Sequence, residues 1–255
     1  MILINNSSVI ESSVIARISQ DFLAFHRIHF FYAAFESGLL DALQLPTDRD
    51  ELIVRLGVKH PEILDSLLEL GVLLEELSLF DGYYKITGQY TKLLMEKDAL
   101  GAVMRQMVMV NGPVFRRLAE RLQGGPPGDY LSGTGGMLAH SARLLEPLVA
   151  DFLSDELVKD RPLNILEVGC GTGIYLKHAA LINPRAFGVG LDMQEDVIKL
   201  ADANLADWGI DDRFKVIKAD IRHPLPELAG PFDVILLLNN IFYFTPAERS
   251  ALLRC

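Results

Sequence analysis

Residues 164–175, "NILEVGCGTGIY", constrain the fold more than any other stretch of the chain. An apolar run ends in Glu167 and Val168, glycines follow at 169, 171 and 173, and an apolar helical pattern starts at once. Further apolar runs recur at "AFGVGLD" (186–192), "FKVIKAD" (214–220) and "FDVILLLNN" (232–240). The segments "GIYLKHAALI" and "MQEDVIKLADANLADWG" between them read as helices. Continuous apolar strands joined by helices predict an α/β fold with a parallel sheet covered on both faces.

In such a sheet a ligand sits beyond the carboxyl ends of the strands, beside the switch in strand order. Gly169, Gly171 and Gly173 let the chain turn tightly there and let a ligand touch backbone, and Glu167 puts a carboxylate at the same edge. Asp192 ends the second strand and suits the two hydroxyls of a ribose; Asp220 ends the third and suits an exocyclic amine such as that of adenine. Each aspartate alone would pass as a helix cap. Acids at three successive strand ends favour a ligand. Dinucleotide sites use G-x-G-x-x-G with pyrophosphate on a helix N-terminus, whereas the spacing here is G-x-G-x-G. An acid-rich site suits a ligand without phosphates that carries an amine and a sulfonium.

The front half reads differently. Residues 13 to about 158 are mostly helical in pattern. Ile15, Ile18, Phe22, Phe25, Ile28 and Tyr32 recur at spacings of three and four, an apolar helical stripe that Gly38 ends. In "PTDRDELIVRLG" Thr47, with Asp50 three residues on, reads as the helix cap and Gly57 as the stop. Pro61 opens the next helix, and "LSLFDGYYKIT" reads as a hairpin turning at Asp81-Gly82. Helix, helix, hairpin is the order of a winged helix. The second helix carries Glu62, Asp65 and Glu69 and no Lys or Arg over 61–74, so it would repel phosphates. The segment 101–123 continues as helix with a break near Asn111-Gly112-Pro113; Met104, Met107 and Met109 along it read as flexible apolar filler. "GGPPGDYLSGTGG" (124–136) is a loop, and a helix over about 137–158 leads into the second half.

Global composition narrows the function. A formal net charge of −10, from 24 Lys and Arg against 34 Asp and Glu, argues against a nucleic-acid surface. The two cysteines, Cys170 and Cys255, make no disulfide framework, and the six histidines form no metal-ligand spacing. His26 and His29 share a helix face by spacing, with packing the simpler reason. No apolar stretch approaches the roughly 18 residues of a membrane span, and the start lacks a charged leader. The expected compartment is the cytoplasm.

The motifs together resemble the class I S-adenosylmethionine-dependent methyltransferases. "LEVGCGTG" is similar to their first motif, Asp192 to the ribose-binding acid, and "ADI" (219–221) to the adenine-binding segment. The front half, through "GLLDAL", "LLELGVLLEE" and "DGYYKIT", resembles the winged-helix dimerisation domain of small-molecule O-methyltransferases. The resemblance implies a Rossmann-like methyltransferase sheet, here about four parallel strands, preceded by a mostly helical winged-helix domain. It implies a helical dimerisation domain over 1–123, a linker loop and connecting helix over 124–160, and a cofactor domain over 161–255. It further implies S-adenosyl-L-methionine as cofactor, held by Glu167, Gly169, Gly171, Gly173, Asp192, Met193, Asp220, Ile221 and Asn239. A small-molecule acceptor, a homodimer, no nucleic-acid partner and no membrane complete the expectation.

Two departures from that family stand out. Many members carry a histidine base just after the fourth strand, and the corresponding residue here is Phe242, flanked by Tyr243 and Phe244. No catalytic base is therefore assigned; Tyr243 and His223 are candidates with structural roles as the simpler account. The family's sheet has seven strands and this sequence supplies four, so a truncated or split protein is expected, with "DVILLL" left as a sheet edge. The rival readings are a non-catalytic methyltransferase-like dimer subunit and a nicotinamide-dependent oxidoreductase.

Overall fold

A computed structural model gives the fold at residues 6–126, 133–223, 225, 227, 228, 230–241 and 244–252. The contacts divide the chain into two compact units, Met1–Arg116 and Arg117–Cys255.

The first unit is mostly helical. Helix α1 (Asn6–Glu36) gives way at Gly38, whose φ of 75° turns the chain into α2 (Leu39–Ala42). The two-residue strand β1 (Thr47–Asp48) follows, then α3 (Arg49–Leu56) and α4 (Pro61–Leu73), with Pro61 in the first turn of α4. The cap of α3 is Asp48, whose side chain accepts from the Glu51 N–H at 2.9 Å, not Thr47 as the sequence pattern suggests. Thr47 pairs with Tyr84 in the sheet and lies buried, its hydroxyl donating to the Ala42 and Leu45 carbonyls. A strand residue held this way leaves the next residue to turn toward the helix amides.

Strands β2 (Leu77–Phe80) and β3 (Tyr83–Ile86) form the expected hairpin, and β1 adds to the other side of β3. Asp81 and Gly82 both have positive φ, 49° and 83°, the backbone that matches the twist of paired strands in a two-residue turn. The core gathers Phe30, Phe31, Leu39, Leu43, Leu52 and Leu68. The expected α1 stripe is helical, yet Ile15, Ile18, Phe22 and Phe25 are all more than half exposed, and burial in α1 begins only near Phe30.

Helices α5 (Gln89–Glu96) and α6 (Asp98–Gln106) follow. The expected break at 111–113 is instead a π turn over Met107–Asn111, continuous with α7 (Gly112–Arg116). Pro113 has no N–H to return to the preceding turn, and the Gly112 N–H reaches back five residues to the Met107 carbonyl. Widening the helix accommodates the proline without ending it.

The second unit opens with α8 (Leu118–Leu122). The loop expected over 124–136 lies partly outside the described residues, at 127–132. The connecting helix comes in pieces: α9 (Gly135–Ala142), a 3₁₀ turn (Arg143–Leu145) and α10 (Glu146–Glu156). Then come β4 (Asn164–Val168), α11 (Ile174–Ile182), β5 (Phe187–Asp192), α12 (Glu195–Asp207), β6 (Phe214–Lys218), β7 (Val234–Leu236) and α13 (Pro246–Leu252). The four strands pair in parallel in the order β6-β5-β4-β7, with β4 buried throughout.

One face of this sheet is packed by Leu163, Ile165, Leu176, Ala179, Leu205 and Phe214, the other by Leu166, Val168 and Leu191. Strand β7 is shorter than its apolar run. Leu237 and Leu238 serve the packing of the two clusters after ladder pairing has stopped. Its register is fixed by Asp233, which accepts from the Asn164 N–H at 2.8 Å and from Arg161 at 2.6 Å. Among the described residues, no helix is long and apolar enough to cross a membrane.

Candidate functional site

The order β6-β5-β4-β7 reverses direction between β4 and β7, so the crevice lies beyond the carboxyl end of β4. The loop from Gly169 to Gly173 occupies that edge. Gly169 and Cys170 both donate to the Leu191 carbonyl, at 2.7 and 2.9 Å, which ties the loop to the end of β5. Gly169, Gly171 and Gly173 have φ of 69°, 53° and 77°, a backbone region strained for any other residue. At Gly169 an added Cβ would also lie 2.5 Å from Asn240 Nδ2. Cys170 is buried against Gly190, the small filler that its place between glycines suggests.

Glu167 sits at the base of this loop, 1% exposed, and neither carboxylate oxygen has a hydrogen-bond partner. Burial first, and the nearby Asp192 charge second, push its pKa well above the usual carboxylate range; the Leu176 N–H nearby opposes the rise without meeting hydrogen-bond geometry. A buried carboxyl without a donor is costly to ionise and invites a cationic partner. The Tyr175 hydroxyl above it is also buried without a partner and is pushed up to about 12, by burial first and then by Glu167 and Glu146.

Asp192 ends β5 and is already oriented. Its Oδ2 accepts from the Gly171 N–H at 3.2 Å and its Oδ1 from the Gln194 N–H at 3.0 Å. Burial raises its pKa, and these amides together with that of Met193 hold the rise in check. Lone pairs remain on both oxygens for a ligand's hydroxyls. Met193, the next residue, is 41% exposed.

Asp220 lies two residues beyond β6. Arg222 holds its carboxyl below the usual range, through side-chain hydrogen bonds first. Ile221, half-buried, packs on the Leu166–Leu191 cluster. Asn239 is exposed with φ of 54°. Its neighbour Asn240 instead reaches the loop, donating from Nδ2 to the Val168 carbonyl, with Oδ1 buried and unpartnered.

Beyond Asn240, sequence reasoning missed two contributors. Asn204 on α12 donates to the Thr172 carbonyl at 2.9 Å and braces the loop from behind. Helix α9 comes up to the loop, with Ala139 beside Gly171 and Gly135 pressed against Val197 and Gln194. No local signal marks these residues, because their partners lie 32 or more positions away. Phe242 and Tyr243, the aromatic residues in the place of a base, lie outside the described residues. His223 is exposed, 3.9 Å from Asp220.

A parallel sheet with a glycine-rich loop after β4, and acids at or near three adjoining strand ends, is an α/β arrangement shared with solved methyltransferase structures. Residues 165–255 match the family model described as a methyltransferase domain. The fold is similar to that of the mitomycin 7-O-methyltransferase MmcR, at a TM-score of 0.76 and 15% identity, over 97% of this chain and 77% of that one. It is also similar to NcsB1, an O-methyltransferase from neocarzinostatin biosynthesis solved with S-adenosylmethionine and 2-hydroxy-5-methyl naphthoic acid. There the TM-score is 0.61 at 20% identity, over 90% of this chain and 74% of that one. In sequence, the ribosomal protein uL3 glutamine methyltransferase of Bordetella pertussis is 29% identical over 153 residues, 54% of this chain and 48% of that protein. The chain spans less than half the length of the curated relatives it matches.

Proposed function

We propose that this chain binds S-adenosylmethionine and promotes transfer of its methyl group to a small-molecule acceptor. The observation that carries the reading is Glu167, a buried carboxyl with no partner at the base of a glycine loop, beside Asp192. That pair fits a ligand bearing an ammonium and a vicinal diol. When bound, the cofactor supplies an electrophilic methyl group on a sulfonium.

The chain's own residues bind and orient. Glu167 is assigned to the amino group, by way of the loop of Gly169, Gly171 and Gly173. Asp192 is assigned to the ribose hydroxyls, Met193 and Ile221 to the two faces of the purine, Asp220 to its amine, and Asn239 to the rim beside the transferring group. No proton acceptor is assigned, because positioning alone can lower a transfer barrier by roughly 7–11 kcal/mol. An acceptor that is already nucleophilic then needs no base.

A small molecule is favoured over a nucleic acid by the net charge of −10 and by Glu62, Asp65 and Glu69 on α4. The front half is assigned as a winged-helix dimerisation domain over 1–123, followed by a connecting segment over 124–160 and the cofactor domain from 161. The exposed Ile15, Ile18, Phe22 and Phe25 of α1 support a homodimer. A cytoplasmic setting accords with the sequence. Incubation with methyl-labelled cofactor and a panel of phenols, amines and thiols tests the reading. Label in one acceptor class supports it; label entering RNA or ribosomal protein, and no small molecule, overturns the acceptor assignment.

A further inference from the structure

The Asp220 carboxylate is engaged by its own neighbour. The Arg222 main-chain N–H donates to Oδ1 at 3.0 Å, its Nε to Oδ1 at 2.9 Å and to Oδ2 at 3.1 Å, and its Nη2 to Oδ2 at 2.7 Å. A carboxylate offers about four lone-pair sites, and three donor hydrogens, the Nε–H shared between both oxygens, engage most of them. The same Nη2 lies 3.9 Å from Met193 Sδ. The guanidinium thus stretches from the segment after β6 to the first residue after β5, the two edges assigned above to the purine.

We propose that Arg222 sets the purine selectivity of this site, competing with a 6-amino group for Asp220 and itself donating to a 6-oxo group. The inference rests on the cofactor reading given above. A ligand amine drawn to Asp220 therefore competes with the guanidinium for the same two oxygens. Glu248 on α13, which accepts from the Thr245 N–H at 2.7 Å, adds a weaker favourable charge to Arg222. The Arg222 side chain is 46% exposed and that of Asp220 21%, so the competition is worth a few-fold in affinity, as for other partly exposed ion pairs.

The experiment titrates the wild-type chain and Arg222→Met with S-adenosylhomocysteine and with its 6-oxo counterpart, S-inosylhomocysteine. Methionine removes every side-chain donor while keeping an apolar stem next to Met193. The variant is expected to bind the 6-amino compound about two- to fivefold tighter and the 6-oxo compound more weakly. Added salt should tighten 6-amino binding to the wild type relative to the variant, because it screens the pair that must open. A variant that binds the 6-amino compound equally or more weakly, or with an unchanged amino-to-oxo ratio, overturns the inference and leaves the cofactor reading standing. A wild-type chain that binds neither compound overturns both.

Discussion

Replacing Glu167 by glutamine keeps the shape of the side chain and removes its charge, which separates its cost to the fold from its use in binding. In the folded protein the carboxyl is buried without a donor, and its pKa stands well above 4.5. In the unfolded chain it ionises near 4.5. Between those two values the folded state holds one proton that the unfolded state has lost, so stability falls as pH rises. The stabilising share of this group is complete below the unfolded value and is lost as pH climbs toward the folded one. While pH lies between those two values the slope is about 1.4 kcal/mol per pH unit for one proton. Urea denaturation at pH 5, 6 and 7 should show wild-type stability falling relative to Glu167→Gln as pH rises from the unfolded value toward the folded one. Groups remote from Glu167 are shared and cancel in the difference, while Asp192 and Tyr175 enter only through their coupling to it. With excess S-adenosylhomocysteine the order should reverse, since ligand at a hundred times its Kd adds about 2.7 kcal/mol and the variant lacks the charge that holds the ammonium. Parallel pH curves for the two proteins would refute the argument, because they would mean that Glu167 finds a donor in solution.

Asp192→Ala should weaken S-adenosylhomocysteine binding by two hydrogen bonds to a charged acceptor, each worth about 1.5–3 kcal/mol, as read by calorimetry; an unchanged Kd would remove Asp192 from the site. Asp48→Ala should cost about 1 kcal/mol of stability through loss of the α3 cap, while Thr47→Ser, which keeps the hydroxyl, should retain the Ala42 contact; a harmless Asp48→Ala in urea titration would contradict the cap. Phe22→Asp on exposed α1 should shift light-scattering mass from dimer to monomer, and a wild-type chain that is monomeric over a wide concentration range would count against the dimer.

Much of the site was readable because its signals are local. An apolar run followed at once by three alternating glycines leaves few alternatives, and Glu167, Asp192 and Asp220 fall at strand ends that hydrophobic runs alone delimit. What resisted reading depends on tertiary partners. Thr47 and Asp48 are both capping residues by type, and only the pairing of Thr47 with Tyr84 decides between them. Pro113 announces a disturbance, but whether a helix ends or widens depends on the packing around it. Leu237 and Leu238 extend an apolar run beyond the ladder because they fill cores, a purpose that period and propensity cannot separate from pairing. Asn240 and Asn239 are identical in type and adjacent. Only the fold sends Asn240, from 72 positions away, to the Val168 carbonyl.

The crevice beyond β4 is proposed to bind S-adenosylmethionine and its demethylated product, and not a dinucleotide. Calorimetric titration of the chain with S-adenosylhomocysteine and, separately, with NAD tests it most directly. Saturable heat is expected at one site per chain for S-adenosylhomocysteine and none for NAD, because the loop is spaced G-x-G-x-G and the acids at Glu167, Asp192 and Asp220 disfavour a pyrophosphate. Saturable heat with NAD and none with S-adenosylhomocysteine would contradict it.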